Sequence, residues 1–451
     1  MAVDHTTVAL SFRIRERLRE AGQDRFLGIR LPGAWDPISL LDDPAAHGVL
    51  ASYERPDRGR ALVAVGACEL VPAPPGGLHA ARPAVRRLLG HELATDAPEL
   101  RPRLLAAAAF RSDHTPAAPW DGFGAGALLL PRLLFIRDRG VTGVVLAPGA
   151  GEGELQQLLA ALERPPRRST AARPLTVLSG VDRARWLTSV ATIASEVRDG
   201  LYEKAVLATS IELGGEGPVD VGAALTRLRH DYPHCHLFSF TAGDATFLGA
   251  SPELLVALDH GAVNALGLAG SARRGTTEAE DEQLGRELLE SAKNRIEHET
   301  VVRAIREGLA ELTSALRAPN QPRLRRLRNI QHLATEIAGR ARPGVDVLDL
   351  VQRLHPTPAV CGWPTDAARR VIAAHETFDR GWYAGPIGWL DAAGEGEFAV
   401  GLRAALVRGE RAWLFAGNGI MGDSDPAAEL AEVELKFSPL AEALGAPPRG
   451  G

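Results

Sequence analysis

Cysteine is scarce in this 451-residue chain. Cys68, Cys235 and Cys361 are odd in number, far apart and in no CxxC pair. That excludes a disulfide framework or a zinc knuckle and makes a reducing cytoplasm the expected location. Long apolar runs are missing too: no stretch approaches the roughly 18 apolar residues of a membrane-spanning helix. The N-terminus, MAVDHTTVALSFRIRERLREAG, has an early acidic residue and only a short apolar run before FRIRERLRE, so it fails as a signal peptide. Nor is positive charge in excess. A net charge of -5 gives no global attraction for nucleic acid or an anionic membrane, and neither is expected as a partner; a local basic pocket for an acidic small molecule stays open. No fixed-period repeat is visible.

What is present is ordinary for a soluble globular protein: 45% hydrophobic and 24% charged residues, with 31 Pro and 47 Gly suggesting many turns. The length predicts two or three domains, or one large α/β or α+β unit, with a sizeable core. The first 180 residues alternate apolar runs such as ALVAVGACELV and GALLLPRLLFIRD with Pro/Gly-rich joints, and read as strands and loops that name no chemistry. ERPPRRSTAARP, 163 to 174, reads either as a linker between halves or as a surface loop. The expected division is therefore 1–175 and 176–445.

Beyond that joint, RARWLTSVATIASEVRDG reads as a helix with a left-handed cap at Gly200. EKAVLATSIEL reads as a strand, and CHLFSFTAGDATFLGASPELLVALD as a hairpin turning at Ala-Gly-Asp and continuing past a Ser-Pro break. A long helical region is predicted from about Thr277 to Leu316, with Leu284, Leu288, Ile296, Val301, Ile305 and Leu309 near helical spacing. Asn294, Glu297 and His298 then share a face. The plain reading of Glu297-His298-Glu299 is a solvated helix face.

A second acidic group lies in AGNGIMGDSDPAAELAEVELK. Asp425-Pro426 is a good cap and first-turn pair, so a helix starting there puts Glu429, Glu432 and Lys436 on one side. A Glu432–Lys436 ion pair on a wet helix accounts for this pattern. Two helices presenting glutamates also suit one hard cation bound through oxygen, which points to Mg²⁺ over zinc where no cysteine takes part.

AVLATS, FLGASPELL, LAGSARRG, KNRIEHE, HLATEIAGR, LHPTPAVCGWP, FDRGWYAGPIGW, EFAVGLRAALV and AGNGIMGDSDPAAELAEVELK occur in this order. Together they resemble the chorismate-utilising enzymes, over roughly Leu201 to Leu440. The resemblance implies one large α+β fold of layered antiparallel sheets wrapped by helices, to which the N-terminal part also belongs. It implies chorismate as substrate and Mg²⁺ as cofactor. Lys204 stands where members that add water carry their base; with a reference pKa of about 10.4, a lysine needs burial or neighbouring cations to serve as one. Glu253 in SPELL corresponds to the acid that protonates the departing 4-hydroxyl, for which apolar surroundings must raise its pKa.

By the same resemblance Glu297 and Glu432 hold the metal, with Glu429 as an outer or water-mediated ligand, and His298 and Glu299 serve packing or the second layer of contacts. Tyr383 and Arg403 stand where the family binds the enolpyruvyl carboxylate. Gly270 and Gly417 allow close backbone approach to substrate oxygens, and Lys436 adds positive charge near a carboxylate. Ala359-Val360 resembles the members that make isochorismate; those that go on to salicylate usually have threonine there. Asn294, Asn418 and Ser271 depart from the usual acidic residue, alanine and threonine, and Asn418 is expected to alter the loop facing the substrate carboxylate. The implied activity is Mg²⁺-dependent formation of isochorismate. Salicylate formation by later pyruvate loss and a non-catalytic chorismate binder are the alternatives. A monomer or weak homodimer is expected.

Overall fold

The computed structural model describes residues 14–19, 22, 24–31, 35–74, 76–162 and 174–446. The expected joint at 163–174 lies outside them except for Pro174, as do residues 1–13 at the start of the chain. Among the described residues, strands hydrogen-bond into one continuous network of 21.

The network divides at the strand Gly126–Asp138. One edge of that strand carries Arg60–Pro72. The other is shared, Leu133–Asp138 pairing with Val141–Leu146 and Gly126–Leu129 with Arg103–Ala108. Pro131, with no N–H to give to a ladder, stands between the two stretches. From there the first layer runs through Arg60–Pro72, Val49–Arg55, His236–Ala242, Ala245–Ser251, Ala404–Arg408 and Arg411–Ile420 to Lys204–Gly214. The second runs through Arg103–Ala108, Pro386–Asp391, Gly396–Val400, Leu254–Asp259 and Ala262–Arg273 to Ile330–Ala341. Helices accompany these antiparallel layers, so the α+β class expected from the motifs is the observed one.

The apolar runs explain the layering. GALLLPRLLFIRD is buried at nearly every position, as a strand covered on both faces must be. Polar groups between the layers are paired. Tyr53 of the first layer donates to Glu397 of the second at 3.1 Å, and Arg60 donates to Glu397 and Asp138 at 3.0 Å each.

The chain crosses between layers twice at one place. It leaves the first layer at Ser251 and enters the second at Leu254, with only Pro252 and Glu253 between. It returns from Val400 to Ala404 through Gly401, Leu402 and Arg403. The two crossings are tied together by Val400 N–H to Glu253 O and Ala250 N–H to Arg403 O, both 3.1 Å.

Most element expectations hold. The helix Arg183–Arg198 is followed by Gly200 at φ +77°, and the 236–251 hairpin turns at Gly243, φ +61°. The long helical region does not hold as one element: helices Glu278–Glu290 and Ala292–Ala310 are broken at Ser291, and Thr313–Arg317 is a strand. Ser291 is extended (ψ 115°) and its hydroxyl accepts from Asn294 N–H, capping the second helix. Ile296, spaced as a core residue, is 55% exposed.

The N-terminal part supports the later one through aromatic rings. Trp120, fully buried, stacks on Phe415 at 5.3 Å, and Phe415 stacks on Tyr383 at 5.5 Å. A Cβ at Gly381 (φ +49°) would stand 2.2 Å from the Trp120 indole. Gly381→Ala is therefore expected to destabilise the protein by about 2 kcal/mol or more, measured by denaturant unfolding; an unchanged midpoint would show that the indole can move aside.

Candidate active site

A cavity of about 100 Å³ lies beside the two crossings, lined among others by Glu253, Gly270, Ala359, Tyr383, Arg403, Gly417, Glu297, Glu429, Glu432 and Lys436. The structure thus brings together ten of the eleven residues that the resemblance assigns to catalysis, substrate or metal. Lys204, the eleventh, is joined to the cavity wall through an ion pair with Glu297, Nζ to Oε1 2.9 Å.

Lys204 opens the strand Lys204–Gly214 and is 1% exposed. Its stem lies over Gly419 of the paired strand, where a Cβ would stand 2.4 Å from Lys204 Cε and 2.3 Å from Glu297 Oε1. A side chain at 419 would push the pair apart, so Gly419 is the glycine that this site requires. The motif AGNGIMG holds it together with Gly417, which also lines the cavity and whose missing Cβ allows close packing on Leu207 and Ala208. Burial alone would raise the Glu297 carboxyl; Lys204, together with Lys436 and Lys293, outweighs it and holds the group below its usual range.

Glu253 has the opposite fate. It is 2% exposed, its Oε1 has no hydrogen-bond partner, and burial pushes its pKa up to about 8 despite the charge of Lys204. One cavity therefore holds a carboxyl kept protonated at neutral pH and another kept ionised, the arrangement that separates acid from anion.

Arg403 is buried at φ +47° and its partners are neutral: Asn329 Oδ1 at 3.4 Å and His332 Nε2 at 3.1 Å. Burial, with Arg403 and Lys436 nearby, drives the His332 pKa well down. The ring is thus neutral, accepts at Nε2 and directs Nδ1–H toward Ser271 Oγ at 3.0 Å. Arg403, a donor only, fixes this tautomer, and Ser271, noted as a departure, supplies an acceptor on the other side of the ring. Gly270, φ +77°, marks the irregular register between Ala269 and Ser271 that turns the backbone there.

Two other residues escaped the sequence argument. Arg380 makes a buried pair with Glu376 and donates to Val360 O and Val206 O at 2.8 and 2.9 Å. It thereby fastens the Ala359-Val360 turn to the Lys204 strand. Lys293, in KNRIEHE, donates to Glu429 Oε1 at 2.8 Å.

Asn418, expected to alter the loop facing the substrate carboxylate, is directed to the C-terminal helix. Its amide donates to Glu429 O and Oε2 at 2.7 and 2.9 Å and accepts from Lys436 at 2.9 Å, because alternation along the strand turns it toward the C-terminal helix. His298 leaves the face it was expected to share with Asn294 and Glu297: its Nε2 meets Thr335 Oγ1 at 2.7 Å, behind the helix, and burial lowers its pKa to about 4.

The C-terminal helix Pro426–Leu444 begins as its sequence dictates, with Asp425 accepting from Ala428 N–H and Pro426 in the first turn. Apart from Glu253, each of the glutamates facing the cavity is held by a lysine: Glu297 by Lys204, Glu429 by Lys293 and Glu432 by Lys436, at 2.9, 2.8 and 2.8 Å. The Glu432–Lys436 pair read from spacing is thus real and belongs to the cavity. Burial and the charge of Glu432 raise the Glu429 carboxyl. An all-oxygen set whose members repel one another suits a hard dication. The glutamates are not drawn into a three-ligand cluster: among the described residues the one set of three possible ligands within 4.8 Å of each other is Asp259, His260 and Glu395, largely exposed and outside this cavity.

Residues 15–445 match the model of the chorismate binding enzyme family. The chain is 35% identical over 353 residues to the isochorismate synthase MenF of Bacillus subtilis, covering 76% of this chain and 75% of the relative. It is 39% identical over 358 residues to the salicylate biosynthesis isochorismate synthase of Pseudomonas aeruginosa, covering 77% and 75%. Among solved structures, it is similar to MenF, the menaquinone-specific isochorismate synthase of Escherichia coli. That match has a TM-score of 0.79 and 27% identity, covering 98% of this chain and 100% of the other. Anthranilate synthase component I of Streptococcus pneumoniae, at 21% identity and a TM-score of 0.71 over 85% of this chain and 92% of the other, shares the fold.

The buried Glu253 carboxyl also has a cost for stability. Its proton is held to about pH 8 in the folded chain and lost near 4.5 in an ordinary carboxyl. The stability tied to that proton is complete below about 4.5 and is lost as pH rises through about 8. Glu253→Gln, which cannot ionise, is expected to be more stable than the parent at pH 9 by on the order of a few kcal/mol. The gain should vanish at pH 4; unfolding curves that differ equally at both pH values would reject the raised pKa.

Proposed function

The chain belongs to the chorismate binding enzyme family, and from that premise we propose that it is an Mg²⁺-dependent isochorismate synthase feeding menaquinone or siderophore biosynthesis. The observation that carries this reading is Glu253, a carboxyl protonated at neutral pH beside a lysine, an arginine and three glutamates in one cavity. Such an acid suits the loss of a poor leaving group, here the C4 hydroxyl of chorismate.

In this mechanism Lys204 takes a proton from the water that attacks C2, and Glu253 gives its proton to the hydroxyl departing from C4. One water enters and one leaves. Arg403, aimed by neutral His332, would grip the enolpyruvyl carboxylate in a bidentate fork, with Tyr383 as a further donor. Glu297 and Glu432, with Glu429 as an outer ligand, would hold Mg²⁺, which when bound neutralises the ring carboxylate. Burial of Lys204, Glu253 and Arg403 limits competing water. Ala359 on the cavity wall favours stopping at isochorismate.

Purified protein with chorismate and Mg²⁺ is expected to give isochorismate, resolved by chromatography and mass, and none once the metal is chelated. Salicylate with pyruvate would mark an enzyme that continues to elimination, and unchanged chorismate with measurable binding would mark a non-catalytic relative. Lys204→Ala should abolish turnover while chorismate binding stays measurable; undiminished activity would eliminate Lys204 as the base. In the parent, turnover should fall as pH rises through about 8, where Glu253 loses its proton.

A further inference from the structure

Lys293 precedes Glu297 by four residues, one turn along the same helix, and reaches across to the C-terminal helix to hold Glu429 at 2.8 Å. Burial alone would lower its pKa; the charges of Glu429, Glu297 and Glu432 together outweigh that. A fixed cation thus stands among all three glutamates, in the part of the cavity where a dication would be held.

The three lysines are not equally placed. Lys204 is 1% exposed and wedged against Gly419. Lys436 donates to Gly417 O and Asn418 Oδ1, each at 2.9 Å, besides Glu432. Among the described residues Glu429 is the hydrogen-bond partner of Lys293, whose side chain is 29% exposed. Lys293 alone can swing away with the loss of one contact, and the open side gives its ammonium water to enter.

We infer that Lys293 is an exchange cation: its ammonium holds Glu429 beside the other two glutamates until a divalent metal displaces it, and so sets the affinity for that metal. The inference rests on the reading of Glu297, Glu432 and Glu429 as the residues that hold the metal. Physically, a lysine in this place gives Glu429 a counter-charge beside Glu297 and Glu432, and by the same charge it opposes a dication. Lys293 is a positioning residue in this role, with no part in proton transfer.

The test uses the full-length protein freed of metal by a chelator, with Mg²⁺ and Mn²⁺ titrated by calorimetry in the absence of chorismate. Lys293→Met, similar in length and uncharged, is expected to bind both ions about tenfold more tightly, while Lys293→Arg, which keeps the charge, stays within about threefold of the parent. Thermal unfolding provides a second reading. Lys293→Met should melt below the parent in chelator, because Glu429 loses its counter-charge beside Glu297 and Glu432, and recover in saturating Mg²⁺. Glu297→Gln separates the two levels of the argument. If the parent binds metal and Glu297→Gln weakens it at least tenfold, the metal reading stands; an unchanged or weaker affinity in Lys293→Met then overturns the exchange role alone. Tighter binding in both Lys293 variants would also overturn it, since the charge would not be the cause. Absence of saturable binding in the parent would remove both.

Discussion

The Lys204–Glu297 ion pair joins the two layers of this fold. Lys204 opens the last strand of the first layer, and Glu297 belongs to a helix packed on the Ala262–Arg273 strand of the second. Removing two charges from water costs several kcal/mol per ion, which an ion pair offsets only with close geometry and satisfied neighbours. Gly419 supplies the geometry by leaving no Cβ between the partners. The contact is therefore poor evidence of stability for its own sake. It makes sense as a means of keeping a lysine and a carboxylate, both needed ionisable, in an otherwise dry wall.

The double crossing between layers does the corresponding work for Glu253 and Arg403. A two-residue passage from Ser251 to Leu254 has no room to turn Glu253 out to solvent, and the backbone bonds between the crossings keep Arg403 beside it. Both groups are buried, yet burial acts on them with opposite consequences. A carboxyl escapes the cost of desolvation by keeping its proton; a guanidinium stays charged and must be satisfied by neutral acceptors, here His332 and Asn329. The topology thus fixes not only where the groups sit but which one is left ready to give a proton.

Much of this was legible in the sequence. The Asp425-Pro426 cap, the strand carrying Lys204 and the Gly243 hairpin follow from local chemistry that tertiary contacts do not override. What failed were places where one residue decides against the local trend. Ser291 breaks a helical pattern because its hydroxyl caps the next helix, and Ile296, at core spacing along the helix, is left exposed. The direction of His298 was hidden for a related reason: residues one apart on a helix differ by about 100° in direction, so Glu297 and His298 cannot both look into a narrow cavity. The raised pKa of Glu253 is legible only in part. Its apolar neighbours suggest it, but the unpartnered oxygen is a property of the crossing.

The charges around the cavity bear on why metal and substrate should arrive together. With Lys204 in the neutral form that a base requires, Lys293, Lys436 and Arg403 face Glu297, Glu429 and Glu432, with Glu253 protonated, so the charges balance. A dication alone would leave two positive charges in excess, and a substrate with two carboxylates alone two negative ones. Together they leave the balance unchanged. Since each unscreened charge in a low-dielectric wall is expensive, either ligand should prepare the cavity for the other, and the preference should be mutual and equal in free energy. Lys293, the least anchored of the three lysines, is where the wall can adjust while only one of them is bound.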